Sequence, residues 1–237
     1  MNRNLTICFT SDIHGYFSDM DYATGTPGTT GLSRCASSFP HDGNTLILDG
    51  GDILQGSPFA YWLSRSPVEG AKVSAQVMNL AGYHFVTIGN HDFNFGRETL
   101  ESYLSHLDAR CVSANVEGVS GVERTAVVTL ENGLRIGIVG IVTDYVNIWE
   151  RPEHLSGITI SDPIPAAAAA LEELRGKTDF NLCVYHGGFE RDLTTGRVLS
   201  STHENVAYRI CQELDFDILL TGHQPVSYTH LTLPTKL

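Results

Sequence analysis

With 237 residues, of which 42% are hydrophobic and only 18% charged, the chain is long enough to bury a sizeable core, and its net charge is −12. That acidity excludes a basic, non-specific binder of nucleic-acid polymers. It does not exclude an anionic substrate, because divalent cations held by carboxylates invert the local potential. Five widely spaced cysteines without a C-x-x-C pair offer neither a disulfide framework nor a thiolate site, and favour a reducing compartment.

The run LTICFT (5–10) is apolar and β-branched, and is predicted to be the first strand. It follows the N-terminus without the long apolar region of a signal peptide. No stretch approaches the ~18 apolar residues of a membrane span. A soluble, cytoplasmic protein without a membrane partner is expected; a form with an upstream signal removed would read similarly. Further strands are predicted at NTLILDG (44–50), HFVTIG (84–89), CVSANV (111–116), LRIGIVGIV (134–142), FNLCVYH (180–186) and FDILLTG (216–222). Between them lie helical patterns at 71–82, 97–107, 163–175 and 203–214. The first places Val73, Val77, Met78 and Ala81 on one face, and the third has Pro163 and Pro165 in its first turn. Glu131-Asn132-Gly133 predicts a tight hairpin turn. Alternating strands and helices imply an α/β domain with largely parallel pairing, made mixed by the hairpin.

In open α/β sheets, ligands gather beyond the carboxyl ends of the strands. There the chain carries Asp12 and His14 in SDIHG, Asp52 in DGGDILQG, and Asn90, His91 and Asp92 in GNHDFNFG. His186 follows in HGG and His223 in GHQP. Each fragment alone has a bland reading, since Asp and Asn commonly cap turns and a buried histidine is often just hydrogen-bonded. Their recurrence in order, each beside glycine, is harder to obtain by accident. Mixed oxygen and nitrogen donors suit Mn, Fe, Zn, Mg or Co as divalent ions, and a shared carboxylate can bridge two ions at roughly 3.5–4 Å. His41, His84, His106, His154 and His203 lie in contexts that favour surface or capping roles. Arg191, Asp192 and Arg197 read as loop charges, and Trp62 and Trp149 as packing groups.

The order Asp-x-His, Gly-Asp, Gly-Asn-His-Asp, His, Gly-His resembles the signature of calcineurin-like metallophosphoesterases from residue 5 to about 224. Within them the chain looks most similar to bacterial 2′,3′-cyclic-nucleotide phosphodiesterases and 5′-nucleotidases, through SDIHGYFSDMDYATG, NTLILDGGDILQGSP, MNLAGYHFVTIGNHDFNFG and ENVAYRICQELDFDILLTGHQ. The resemblance implies a sandwich of two mixed β-sheets flanked by helices, incomplete at the C-terminus, and two divalent metal ions. Asp12 and His14 would hold one metal, Asp52 would bridge both, and Asn90, His186 and His223 would complete the second. His91 would be the catalytic group, facing the phosphate of a nucleotide substrate beside Asn90, while a metal-activated hydroxide attacks phosphorus. Asn94 stands where nucleotidase-type relatives often carry Asp, which tilts the expectation toward 2′,3′-cyclic nucleotides and 3′-nucleotides. A 5′-nucleotidase or UDP-sugar hydrolase is the alternative, and a non-catalytic metal-binding fragment is the rival from another class.

In that family a His or Gln is expected at position 225, where this chain has Pro225. VSYTHLTLPT (226–235) resembles an in-frame translation of a transposon-type sequencing adapter. The catalytic domain is therefore expected to span 1–225, with 226–237 a non-native tail, Pro225 a hybrid codon, and a C-terminal nucleoside-binding domain missing.

Overall fold

The computed structural model of the chain describes residues 3–21 and 23–224, and the backbone of 231–232. In chain order its elements are β1 (Thr6–Thr10), α1 (Leu32–Ala36), β2 (Thr45–Asp49), α2 (Pro58–Leu63), α3 (Pro67–Ala81) and β3 (Phe85–Val86). A 3₁₀ turn (Asn90–Phe93), α4 (Gly96–Ser105), β4 (Arg110–Val112), β5 (Val116–Glu117), β6 (Val122–Glu123), β7 (Ala126–Thr129) and β8 (Arg135–Val142) follow. The rest are α5 (Val146–Trp149), β9 (Thr159–Ile160), α6 (Pro163–Leu174), β10 (Phe180–His186), α7 (Ala207–Glu213), β11 (Ile218–Thr221) and β12 (Leu231–Thr232).

One sheet has the order β1-β2-β3-β4-β6 and is parallel throughout; the other, β12-β11-β10-β8-β7, is parallel at its centre and antiparallel at both edges. Strands buried on both faces need no polar alternation. Accordingly every residue of β2 is buried, and β8 is buried from Ile136 onward. Leu46, Leu48, Phe85 and Val112 of the first sheet meet Ile136, Ile138, Leu182 and Val184 of the second in the central layer. The outer face of the first sheet is covered by a cluster containing Ala75, Met78 and Leu100, and that of the second by one containing Ala167, Ala170 and Ile210. The resulting helix–sheet–sheet–helix layering is the expected sandwich. No helix among the described residues is long and apolar enough to cross a membrane.

The hairpin forms around the predicted turn. Leu130 and Leu134 pair across it, and Gly133 takes φ 80°, the left-handed position that a three-residue hairpin loop requires. Its tip ties the sheets together: Glu131 N–H donates to Gly43 O (2.8 Å), and the Asn132 amide donates to Asn4 O (2.7 Å).

Three expectations need correction. The buried face of α3 is Ala71, Ser74, Ala75, Met78 and Ala81, while Val73 is 37% exposed. Helical period is preserved but the stripe is rotated, because small side chains let the helix approach its neighbours closely. The run 84–89 forms strand only at Phe85–Val86, since Thr87 onward turns across the loop after β2. There Gly51 and Gly89 cross so tightly that a Cβ on Gly89 would lie 2.2 Å from Asp52 Oδ1. Likewise 111–116 is interrupted, with β4 ending at Val112 and β5 starting at Val116. Pro225 and the segment 226–237 lie outside the described residues, apart from the backbone of 231–232 that pairs with β11.

Candidate metal centre

Four non-glycine residues among those described adopt positive φ: Asp12 (55°), His14 (51°), Asp52 (64°) and His223 (70°). All four are among the expected ligands. Such backbone costs of order 1–3 kcal/mol per residue and persists only where its surroundings hold it. Here the strain falls at the carboxyl ends of β1, β2 and β11, where each chain reverses sharply and aims its side chain inward.

The six expected ligands come together. His14 Nδ1 lies 2.7 Å from Gln55 O and His186 Nδ1 lies 2.6 Å from Gly50 O. A carbonyl only accepts, so each Nδ1 carries the proton and each Nε2 is left to face the centre. His186 Nε2 lies 3.2 Å from Asp52 Oδ2 and 3.1 Å from Asn90 Oδ1. His223 Nδ1 lies 2.8 Å from the same Asn90 oxygen. On the other side, His14 Nε2 lies 3.9 Å from Asp52 Oδ2 and 4.0 Å from Asp12 Oδ1. Two three-residue groups result, Asp12–His14–Asp52 and Asp52–His186–His223, with Asp52 common to both.

The donor chemistry fits cations. His223 Nε2 lies 3.1 Å from Glu204 Oε1, a carboxylate that accepts its N–H and so keeps the proton on Nε2. The lone pairs of His223 Nδ1 and His186 Nε2 then converge on the oxygen of Asn90 and that of Asp52, an acceptor set that only a proton or a cation satisfies. Neighbouring ligands about 2.1 Å from one ion lie about 3 Å apart, close to the spacings found. Burial acts to lower the His186 imidazole, but Asp52 beside it raises it to about 9. Burial acts to raise Asp52, but His186 holds it down to about 2. His223 is lowered by burial and by the His186 charge, which keeps it neutral.

His91 stands at the rim. Its backbone N–H donates to Asp52 Oδ1 (2.7 Å), its Nδ1 lies 2.8 Å from Asn94 Oδ1, and its ring packs edge-on to His14 at 5.4 Å. With Asn90, Asn94, Trp149, Glu150, Glu204 and His223 it lines a cavity of about 360 Å³.

The sequence marks Asp92 only as a strand-end neighbour of the expected ligands and does not single out Glu150 or Glu204. The buried carboxylate of Asp92 accepts N–H bonds from Asp52, Ile53, Leu54 and Gly89, which locks the loop after β2 to the loop after β3. Burial and the nearby Asp52 charge push its carboxyl upward against those bonds. Glu204 fixes His223, and Trp149 stacks on the His223 ring at 5.4 Å. His154, expected at the surface, instead bonds Glu150 behind Asn94 (2.8 Å), whereas His84 and His106 do serve as backbone partners. Arg191 spends its guanidinium on Gly196 O and on the Tyr208 ring, remote from a phosphate role.

Residues 5–227 match the Calcineurin-like phosphoesterase family. The chain is 26% identical over 245 residues to the trifunctional nucleotide phosphoesterase protein YfkN of Bacillus subtilis, covering 93% of this chain and 16% of that protein. It is 26% identical over 254 residues to a 2′,3′-cyclic-nucleotide 2′-phosphodiesterase/3′-nucleotidase of Salmonella typhimurium, covering 98% of this chain and 38% of that one. The chain thus spans well under half the length of these curated relatives. Among solved structures, a Staphylococcus aureus protein provisionally named a 5′-nucleotidase superposes with a TM-score of 0.83 at 26% identity, covering 95% of this chain and 47% of that one.

Proposed function

Because the chain belongs to the calcineurin-like phosphoesterase family, we propose that it is the catalytic part of a dinuclear, metal-dependent hydrolase of nucleotide phosphoesters. The carrying observation is the pair of donor groups that share Asp52. Asp12 and His14 would hold one divalent ion with Asp52, and Asn90, His186 and His223 the other. Bound there, such ions neutralise phosphoryl oxygens and make water nucleophilic near neutral pH.

The chain's own residues do the rest. Backbone carbonyls of Gln55 and Gly50 hold His14 and His186 with Nε2 inward. Glu204 and Trp149 fix the ring of His223 from its edge and its face. His91 keeps its Nδ1–H on Asn94 and, when the ring carries a second proton on Nε2, can donate that proton to a phosphoryl oxygen and pass it to the departing alkoxide.

For substrate we favour 2′,3′-cyclic nucleotides and 3′-nucleotides, on the strength of Asn94 beside His91 and the similarity to phosphodiesterase/3′-nucleotidases. A 5′-nucleotidase reading has its own support in the 0.83 superposition. Turnover of 2′,3′-cyclic AMP, 3′-AMP, AMP and a UDP-sugar with Mn²⁺ separates the two. Loss of cyclic AMP turnover in His91→Ala with Mn²⁺ binding retained supports the enzyme reading. Metal binding without hydrolysis of any of the four by the unaltered chain points instead to a non-catalytic metal-binding module.

A further inference from the structure

Behind His91 lies a second line of hydrogen bonds that its place in the family does not explain. His91 Nδ1 meets Asn94 Oδ1 at 2.8 Å, the Asn94 amide nitrogen donates to Glu150 Oε2, and the other Glu150 oxygen meets His154 Nδ1 at 2.8 Å and the Arg151 N–H at 2.7 Å. Asn94 and Glu150 are 56 residues apart in sequence. The Glu150 side chain is only 7% exposed, so this carboxylate is built into the wall of the cavity and is not a loose surface charge.

We infer that Glu150 is a positioning residue for His91, acting through Asn94; the inference rests on the reading of His91 as the group that faces phosphate. The argument is one of donors and acceptors. A carboxamide presents either its oxygen or its NH₂ group to a neighbour, and nothing in Asn94 itself chooses between them. An ionised carboxylate only accepts, so Glu150 takes the NH₂ group and turns the Asn94 oxygen toward His91. That oxygen also only accepts, so His91 carries its proton on Nδ1. Nε2 is thereby the nitrogen available at the cavity. Arg151 N–H and His154 hold the second Glu150 oxygen, which stops the carboxylate from swinging away. Glu150 thus sets the tautomer of a ring it does not touch.

The pairing also restricts residue 94. Aspartate there would set one carboxylate against another, whereas Asn and Glu are complementary. Chemical reversal is therefore possible: Asn94→Asp combined with Glu150→Gln presents the same acceptor to His91, because the introduced glutamine amide donates where the Asn94 amide formerly did.

Three variants of the full chain, Glu150→Gln, Asn94→Asp and the double Asn94→Asp/Glu150→Gln, test this. Two readouts are used: ¹⁵N chemical shifts of the His91 ring, and kcat and KM on 2′,3′-cyclic AMP with Mn²⁺. Glu150→Gln is expected to lose the fixed Nδ1–H signature, Asn94→Asp to keep it because a carboxylate also only accepts, and each to lower kcat about tenfold to hundredfold with KM little changed. The double variant is expected to show the Nδ1–H signature and to restore kcat to within a few-fold of the unaltered chain. A Glu150→Gln protein with the unaltered ring signature overturns the inference, as does a double variant no better than Asn94→Asp. Full activity in His91→Ala would instead remove the functional reading of His91, while the ring shifts in the other variants still decide what Glu150 does.

Discussion

The carboxylate of Asp92 accepts the backbone N–H of Asp52 at 2.9 Å across forty residues of sequence. Three further N–H groups converge on the same carboxylate. A single side chain thus holds the left-handed turn from which Asp52, common to the two donor groups, projects. Asp92→Asn supplies one acceptor oxygen and places an NH₂ group against buried donors. Leaving such groups unpaired costs about 1–3 kcal/mol each, so a loss of about 2–4 kcal/mol is expected in urea unfolding.

Asp52 belongs to both donor groups and His14 to one. Asp52→Asn is expected to reduce retention of both ions, and His14→Gln of one only. Metal content by plasma mass spectrometry after dialysis against Mn²⁺ reads the difference directly. Equal losses in the two variants would contradict the shared role.

Glu204→Gln tests the orientation of His223. A Gln side chain can donate its amide to Nε2, which moves the imidazole proton to Nδ1 and points it at Asn90. Mn²⁺ affinity at that group is expected to fall about tenfold to hundredfold. Calorimetric titration measures it, with circular dichroism expected to be unchanged.

Asp49, three residues before Asp52, is buried and bonded to Thr10 Oγ1 (2.6 Å) and Gly51 N–H (2.9 Å). Burial pushes its carboxyl from 3.8 up to about 8. The folded protein therefore favours the protonated form. The stability this contributes is complete below about pH 4 and is lost as pH rises toward 8, at up to about 1.4 kcal/mol for each pH unit crossed. Asp49→Asn is expected to flatten the decline in stability over that window, as seen in urea midpoints from pH 5 to 9.

How much could be read in advance depended on where each residue sits. Asp12, His14, Asp52, Asn90, His186 and His223 follow apolar runs that end in or beside glycine, so strand pattern and turn chemistry together exposed them. Glu150 and Glu204 lie in segments without periodicity and reach the site only because the loops after β8 and β10 fold over it. Asp92 was visible within GNHD but carries no mark that separates an anchoring carboxylate from a turn former. The long strands β8 and β10 were found almost to the residue, while α1, α2 and α5 are too short for a two-turn pattern to emerge. The face of α3 was misread because alanine and serine occupy the buried positions that valine was expected to fill.

The hairpin tip at Glu131–Asn132 fastens the two sheets at the amino ends of β1 and β2, the end remote from the metal centre. At the opposite end, Asp12, His14, Asp52 and Asn90 extend from the first sheet, and His186 and His223 from the second. The molecule is bound like a book along its spine, with charged groups along the fore-edge. Divalent ions held there would clasp the covers shut, and their affinity would add to the work of prising the layers apart. A chelator should accordingly speed amide exchange at the far ends of β10 and β11 before it reaches the spine.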